Sequence, residues 1–208
     1  MTEKPSCSKS CTQEQCSTGD CSTCTSAPRL PPGILSRYDI DGSTADGILV
    51  WAEVDDNEKI EPSVYEILGE ARRLKAGRIF AVLFGDAEKK LLYSDLFEYG
   101  VDTIYHIRNG DLNPFRPNDY TMAIIDVTER TNPAMIMISG TVKGNELAPL
   151  IAKSLGAEYL QDDKNIPITA VSPPKVLSFA PKTFKAPERE VGRKGTAMNR
   201  QFKTSIEK

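Results

Sequence analysis

The chain has no cysteine beyond position 24, a single histidine, a single tryptophan and no apolar run long enough to cross a bilayer. Each absence removes a class of protein. Without cysteines in its body, the chain cannot be a small domain stapled by disulfides. His106 has no Ser, Cys or Asp neighbour in the sequence that would complete a hydrolytic arrangement, so it reads as a residue filling the end of a strand. A bilayer span needs about 18 consecutive apolar residues, and none is present. Nor does an apolar signal core follow Lys4, which predicts a cytoplasmic protein. The formal net charge of -3 gives no electrostatic footprint for nucleic acid.

What is present is ordinary globular material: 208 residues, 39% hydrophobic and 26% charged, a size that favours one domain with tails. All five cysteines, Cys7, Cys11, Cys16, Cys21 and Cys24, lie among Ser, Thr, Gly, Lys and Gln. Such surroundings bury too little apolar surface to order themselves without a metal, a cluster or a partner. Cys16-x4-Cys21-x2-Cys24 has the spacing of three ligands in plant-type [2Fe–2S] ferredoxins, and Cys11 or Cys7 would have to supply the fourth. Four thiolates could equally hold zinc. The alternative is a disordered tail with reduced thiols.

Residues 1–46 therefore form a cysteine-rich polar tail and connector, with Asp41-Gly42 as a turn signal. ILVWAEV (Ile48 to Val54), RIFAVLFG (Arg78 to Gly85), TIYHI (Thr103 to Ile107) and MIMIS (Met135 to Ser139) read as buried strands. Between them Val64, Ile67, Leu68, Ala71 and Leu74, then Leu92, Leu96 and Tyr99, then Tyr120, Ala123, Ile124 and Val127 recur at helical spacing. The first of these helices is entered through Glu61-Pro62-Ser63, and Gly100 ends the second. A fourth helix follows the last strand through Leu147, Leu150, Ile151 and Leu155. Strands apolar on both faces and alternating with helices require a parallel sheet covered on each side, so a doubly wound Rossmann-like α/β domain is expected over 47–181. ITAV (Ile168 to Val171) and VLSFA (Val176 to Ala180) read as two further strands, placed at a sheet edge by Pro173-Pro174. Residues 182–208 read as a basic, extended, disordered tail.

Ligands of open α/β sheets bind outside the carboxyl ends of the strands, where helix amino termini offer free N–H groups. The residues there are Glu53, Gly85, His106 and the Ser139-to-Gly144 turn. Gly140, Thr141 and Gly144 could cradle the phosphate of an AMP-type nucleotide, or the two glycines could merely permit a tight strand-to-helix connection. Trp51, among apolar neighbours, reads as core. Asp55-Asp56 and Asp162-Asp163 read as solvated turn residues. No residue is assigned a catalytic role.

The stretch from Met135 to Gly156 resembles the G-x-T-x-x-G-R-D-L-A-P-x-x-A-x-x-L-G segment in the amino-terminal domain of electron transfer flavoprotein alpha subunits. Gly140, Thr141, Gly144, Leu147, Ala148, Pro149, Ala152, Leu155 and Gly156 match it, while Asn145 and Glu146 replace the Arg and Asp. Downstream, PITAVSPPKVLSFAPKTFKAPEREVGRKG resembles the linker strands and R-K-G that precede the family's flavin domain, so the resemblance runs from about Gly47 to Gly195. It implies a non-catalytic electron-transfer component. FAD is the family's cofactor, and its contacts lie mainly beyond the matched segment, so this chain alone is expected not to bind it. The implied partners are a beta-type subunit that carries the flavin and an acyl-CoA dehydrogenase-type redox protein. The readings outside that role are a stand-alone nucleotide-, zinc- or iron–sulfur-binding module on the same fold and a degenerate product without activity.

Metal binding would supply folding free energy to the cysteine segment. Protein prepared anaerobically is expected to contain zinc, or iron with acid-labile sulfide, and Cys21→Ser to lose it, as read by metal and sulfide analysis. Protein that stays metal-free after anaerobic reconstitution would rule this site out.

Overall fold

Among the described residues, the alternation of apolar runs and helical repeats folds, in the computed structural model, into seven strands and four helices. In chain order they are β1 (Ile48–Ala52), α1 (Pro62–Leu74), β2 (Ile79–Phe84), α2 (Lys90–Glu98), β3 (Thr103–Arg108), α3 (Pro117–Thr131), β4 (Met135–Ser139), α4 (Val142–Leu155), β5 (Tyr159–Gln161), β6 (Lys175–Phe179) and β7 (Thr196–Gln201). The structure describes residues 46–75, 77–85, 90–108, 114–162 and 174–202. These belong to one unit, Arg37–Lys208; the other unit, Met1–Ser36, lies outside the described residues, and with it all five cysteines. The expected strand at Ile168 to Val171 also lies outside them.

All strand pairings are parallel, in the order β5-β6-β4-β1-β2-β3-β7. This is the expected Rossmann-like α/β sandwich. Every residue of β1, β2 and β4 is buried, which is why these segments show no polar alternation. Alternate residues feed opposite faces. Ile48, Val50, Ala81, Leu83, Ile104 and Met137 join Val64, Ile67 and Leu68 of α1 and Leu92 and Leu96 of α2 in one core. On the opposite face α3 lies against β1 and β2, and α4 against β4, β5 and β6.

Helix boundaries follow local chemistry. Pro62 and Pro117 open α1 and α3, where a missing N–H costs nothing. Thr141 caps α4 by accepting a hydrogen bond from the Gly144 N–H, and Gly156 closes that helix at φ 63°. β1 stops at Ala52 rather than Val54, because the Asp55 carboxylate accepts hydrogen bonds from the N–H groups of Asn57 and Lys59. The chain then turns back through an antiparallel bridge between Val54 and Ile60.

Two expectations are corrected. The strand expected at a sheet edge, Val176 to Ala180, corresponds to β6 and is internal, flanked by β5 and β4. Pro174 precedes its first residue and so removes no donor from the ladder. The actual edge is β5, short and half-buried, tied to β6 by a 2.8 Å hydrogen bond between Tyr159 Oη and Ser178 Oγ. The second correction concerns residues 182–202, read as an extended tail. They are extended, but they form a strap across α1 and α2 and end in β7, which pairs with β3 along its whole length.

The strap is held at several points. Phe184 packs edge-on against Phe179 with ring centroids 4.8 Å apart. Gly69 lets the backbone pass close by, since a Cβ there would lie 2.5 Å from the Lys185 carbonyl oxygen. Arg72 pairs with Glu190, Arg189 with Asp95 and Glu98, and Arg193 with Asp102 at 2.5 Å. Glu98 also accepts a hydrogen bond from the Gly192 N–H at 3.0 Å. That bond, and then Arg189, hold the Glu98 carboxyl below its ordinary value of 4.5.

A carboxyl whose folded pKa is depressed contributes stability above its unfolded value and loses it as pH falls through the folded one. Urea midpoints at constant ionic strength are therefore expected to fall as pH drops below about 4.5, and Glu98→Gln to flatten part of that fall. An unchanged pH profile in Glu98→Gln would contradict this.

Candidate functional site

β1 is bordered by β2, reached through α1, and by β4, reached after the chain has passed through β2, α2, β3 and α3. The crossovers therefore leave β1 in opposite directions, and a crevice opens beyond the carboxyl end of β1, with Phe84 of β2 and Lys143 of α4 on its walls. Glu53 follows β1 directly, and the Gly140–Thr141 turn follows β4 directly.

Glu53 is buried, with 6% of its surface exposed. Its Oε2 accepts a 2.6 Å hydrogen bond from Thr141 Oγ1, which in turn accepts from the Gly144 N–H at 3.0 Å. Its Oε1 lies 3.9 Å from Lys143 Nζ, an ion-pair distance outside hydrogen-bond range. Burial pushes the Glu53 carboxyl above 4.5, against the pull of Thr141 and Lys143, and the charge of Glu61 pushes the same way as burial. Behind this group Ser139 donates a hydrogen bond to Ser63 of α1, joining β4 to the helix on the other side.

The candidate residues Gly140, Thr141 and Gly144 come together as one turn. A Cβ on Gly140 would lie 2.8 Å from the Phe179 carbonyl oxygen, and one on Gly144 would lie 1.8 Å from that of Ser139. Both glycines thus serve close backbone approach. Thr141 is engaged twice, as helix cap and as donor to Glu53. The amino terminus of α4 consequently faces a carboxylate of the protein itself.

The other candidates lie apart from this turn. His106 is fully buried, with Nε2 3.0 Å from the Gly85 carbonyl oxygen and Nδ1 2.5 Å from Tyr93 Oη. Tyr93 Oη also lies 3.3 Å from Asn199 Oδ1 of β7, so this histidine ties α2 and the last strand to the sheet. Asp162 accepts a 2.7 Å hydrogen bond from the Ala180 N–H; Asp163 lies outside the described residues. Among the described residues no cluster of three His, Cys, Asp or Glu side chains could hold a metal, and Cys11, Cys16, Cys21 and Cys24 lie outside them.

Sequence reasoning missed the crevice wall. Trp51, Phe84, Phe115 and Tyr120 line it together with Glu53 and Lys143. Phe84 and Tyr120 stack with centroids 4.0 Å apart, and Phe115 meets Tyr120 edge-on at 4.8 Å. Trp51 lies nearly parallel to Phe115, at 21° and 6.2 Å. The available signal was an aromatic at the end of a strand (Phe84) and two more flanking Pro117 at the start of α3. The empty space is about 290 Å³, part of it open to solvent. It is a shallow crevice rather than an enclosed cavity.

The family described as "Electron transfer flavoprotein domain" matches residues 48–171. The chain is 26% identical over 132 residues to "Protein FixB" of Azotobacter vinelandii, which spans 61% of this chain and 37% of that one. It is 35% identical over 102 residues to "Electron transfer flavoprotein subunit alpha" of Thermoanaerobacterium thermosaccharolyticum, covering 48% and 31%. With "Lactate dehydrogenase (NAD(+),ferredoxin) subunit LctC" of Acetobacterium woodii it shares 30% identity over 132 residues, covering 59% and 31%. The matched segment thus spans about a third of these curated relatives' length.

Thr141→Val removes both the α4 cap and the donor to Glu53, and is expected to cost about 1–2 kcal/mol in urea denaturation. Thr141→Ser keeps the oxygen and should fall within about 0.5 kcal/mol of wild type, Ser being as good a cap as Thr. Equal losses in the two variants would show that the hydroxyl is not what matters.

Proposed function

Because the chain belongs to the electron transfer flavoprotein domain family, we propose that it serves as the alpha-type half of an electron-transferring complex, paired with a flavin-carrying beta-type subunit in the cytoplasm. The observation that carries this reading is the family match over residues 48–171, which takes in β1 to β5 and the crevice. Its direction toward the alpha side is supported by a relative named as an alpha subunit.

In this reading the chain is a scaffold and pairing surface without catalysis of its own. The flavin belongs to the assembled complex. No residue described here is assigned to it, because the turn best placed to meet a phosphate has its hydroxyl spent on Glu53 and its glycines closed by neighbouring carbonyls. Electrons would pass between that flavin and an outside redox protein, of which an acyl-CoA dehydrogenase-type enzyme is one class. If the tail cysteines hold a cluster, they would add a second redox centre to the same complex.

Co-expression with a beta-type subunit is expected to yield a stable heterodimer with flavin absorbance near about 450 nm, and the chain purified alone to carry none, since cofactors require their own binding segments. A chain that fails to co-purify under gentle, low-salt conditions would favour a stand-alone module. A chain that is yellow by itself would remove the need for the partner.

A further inference from the structure

We propose that the crevice beyond the end of β1 binds an organic cation of the guanidinium type, with Glu53 as its counter-ion and Lys143 as the internal cation that it displaces. Glu53 is buried and only half satisfied. Oε2 takes the Thr141 hydroxyl at 2.6 Å, whereas Oε1 has Lys143 Nζ at 3.9 Å and accepts no hydrogen bond from the described residues. A carboxylate has acceptor sites for several donors, and a guanidinium presents a planar fork of N–H groups that matches it.

The walls select the same chemistry. Trp51, Phe84, Phe115 and Tyr120 line the same crevice as Glu53. Aromatic faces carry negative potential and attract cations, and a guanidinium stacks on them where a hydrated ammonium does not. A phosphate would meet the opposite field. Glu53 stands in front of the α4 amino terminus, Glu61 adds negative charge beside it, and the Thr141 hydroxyl is already engaged. The crevice is small and partly open to solvent, which leaves room for a head group and not for a dinucleotide.

Lys143 is poorly placed where it is. It lies in the first turn of α4, where the helix dipole opposes a positive charge, and 37% of its side chain is exposed. Its head group can therefore move into solvent when a better-matched cation arrives. The displacement involves no bond making and no redox change.

Trp51 is the single tryptophan and lines the crevice, so its fluorescence reports on occupancy without a label. The full-length chain, without any partner, is titrated with methylguanidinium chloride against sodium chloride of equal ionic strength, and separately with AMP. Methylguanidinium is expected to give a saturable change that AMP does not. Lys143→Ala, which removes the internal competitor, should tighten binding about two- to fivefold, the scale of a partly exposed ion pair. Glu53→Gln should weaken it at least about tenfold, as expected for loss of a charged hydrogen-bond acceptor.

If Glu53→Gln fails to fold, the Lys143→Ala and AMP titrations decide alone. No saturable response in either wild type or Lys143→Ala overturns the proposal. A response to AMP but not to methylguanidinium also overturns it, as does unchanged affinity in a folded Glu53→Gln. The titration uses no second subunit, so its failure leaves the pairing reading intact, and failure of pairing leaves the cation site intact.

Discussion

Everything in this domain depends on the burial of β1. Its five residues have at most 3% of their surface exposed, and their backbone is paired to β2 on one side and to β4 on the other. A segment apolar on both faces can be stable only if both faces are covered and both edges are hydrogen-bonded, because an unpaired peptide group in that interior would cost more than the side chains gain. One edge is satisfied by the next strand in the chain. The other must wait for β4, and that reversal is what opens the crevice. The place where chemistry can occur is thus a by-product of hiding Ile48 to Ala52.

Glu53 is the first residue beyond that hidden strand, and it inherits the strand's burial without its apolar chemistry. The α4 amino terminus, Thr141 and Lys143 are arranged around it to make the charge tolerable. Helix amino termini in doubly wound folds commonly receive an external anion. In this protein the Thr141 hydroxyl at that position is engaged from within, by the Gly144 N–H and by Glu53.

The central strands were legible in the sequence because burial on both faces leaves a continuous apolar run, as in ILVWA and MIMIS. The helices were legible from their 3.6-residue period, from Pro62 at the entry of the first and from Gly100 at the end of the second. What escaped was whatever is held by backbone pairing or by partners distant in sequence. β7, TAMNRQ, has no buried residue and no apolar period; it is a strand only because Thr103 to Arg108 offers it a ladder. β5 is three residues long and half-buried, and its signal is a tyrosine hydroxyl meeting Ser178. The crevice was half legible. Strand-end logic places Glu53 and the Gly140–Thr141 turn, but only the folded chain brings Phe84, Phe115 and Lys143 to the same wall.

The strap also sets an order in which the protein can be made. Its anchors, Gly69, Arg72, Asp95, Glu98 and Asp102, belong to the first half of the domain, and it crosses from β6 near one margin of the sheet to β7 at the other. These contacts join residues far apart in the chain, and such contacts form late. During synthesis, which proceeds from the amino terminus, β1 to β4 can assemble while the outer ladder of β3 still stands open. Until residues 182–202 leave the ribosome, that ladder is an unguarded template for strands of other chains. Closure of the sheet is therefore a matter of translation timing, and a pause before the strap emerges lengthens the interval in which the nascent domain can aggregate.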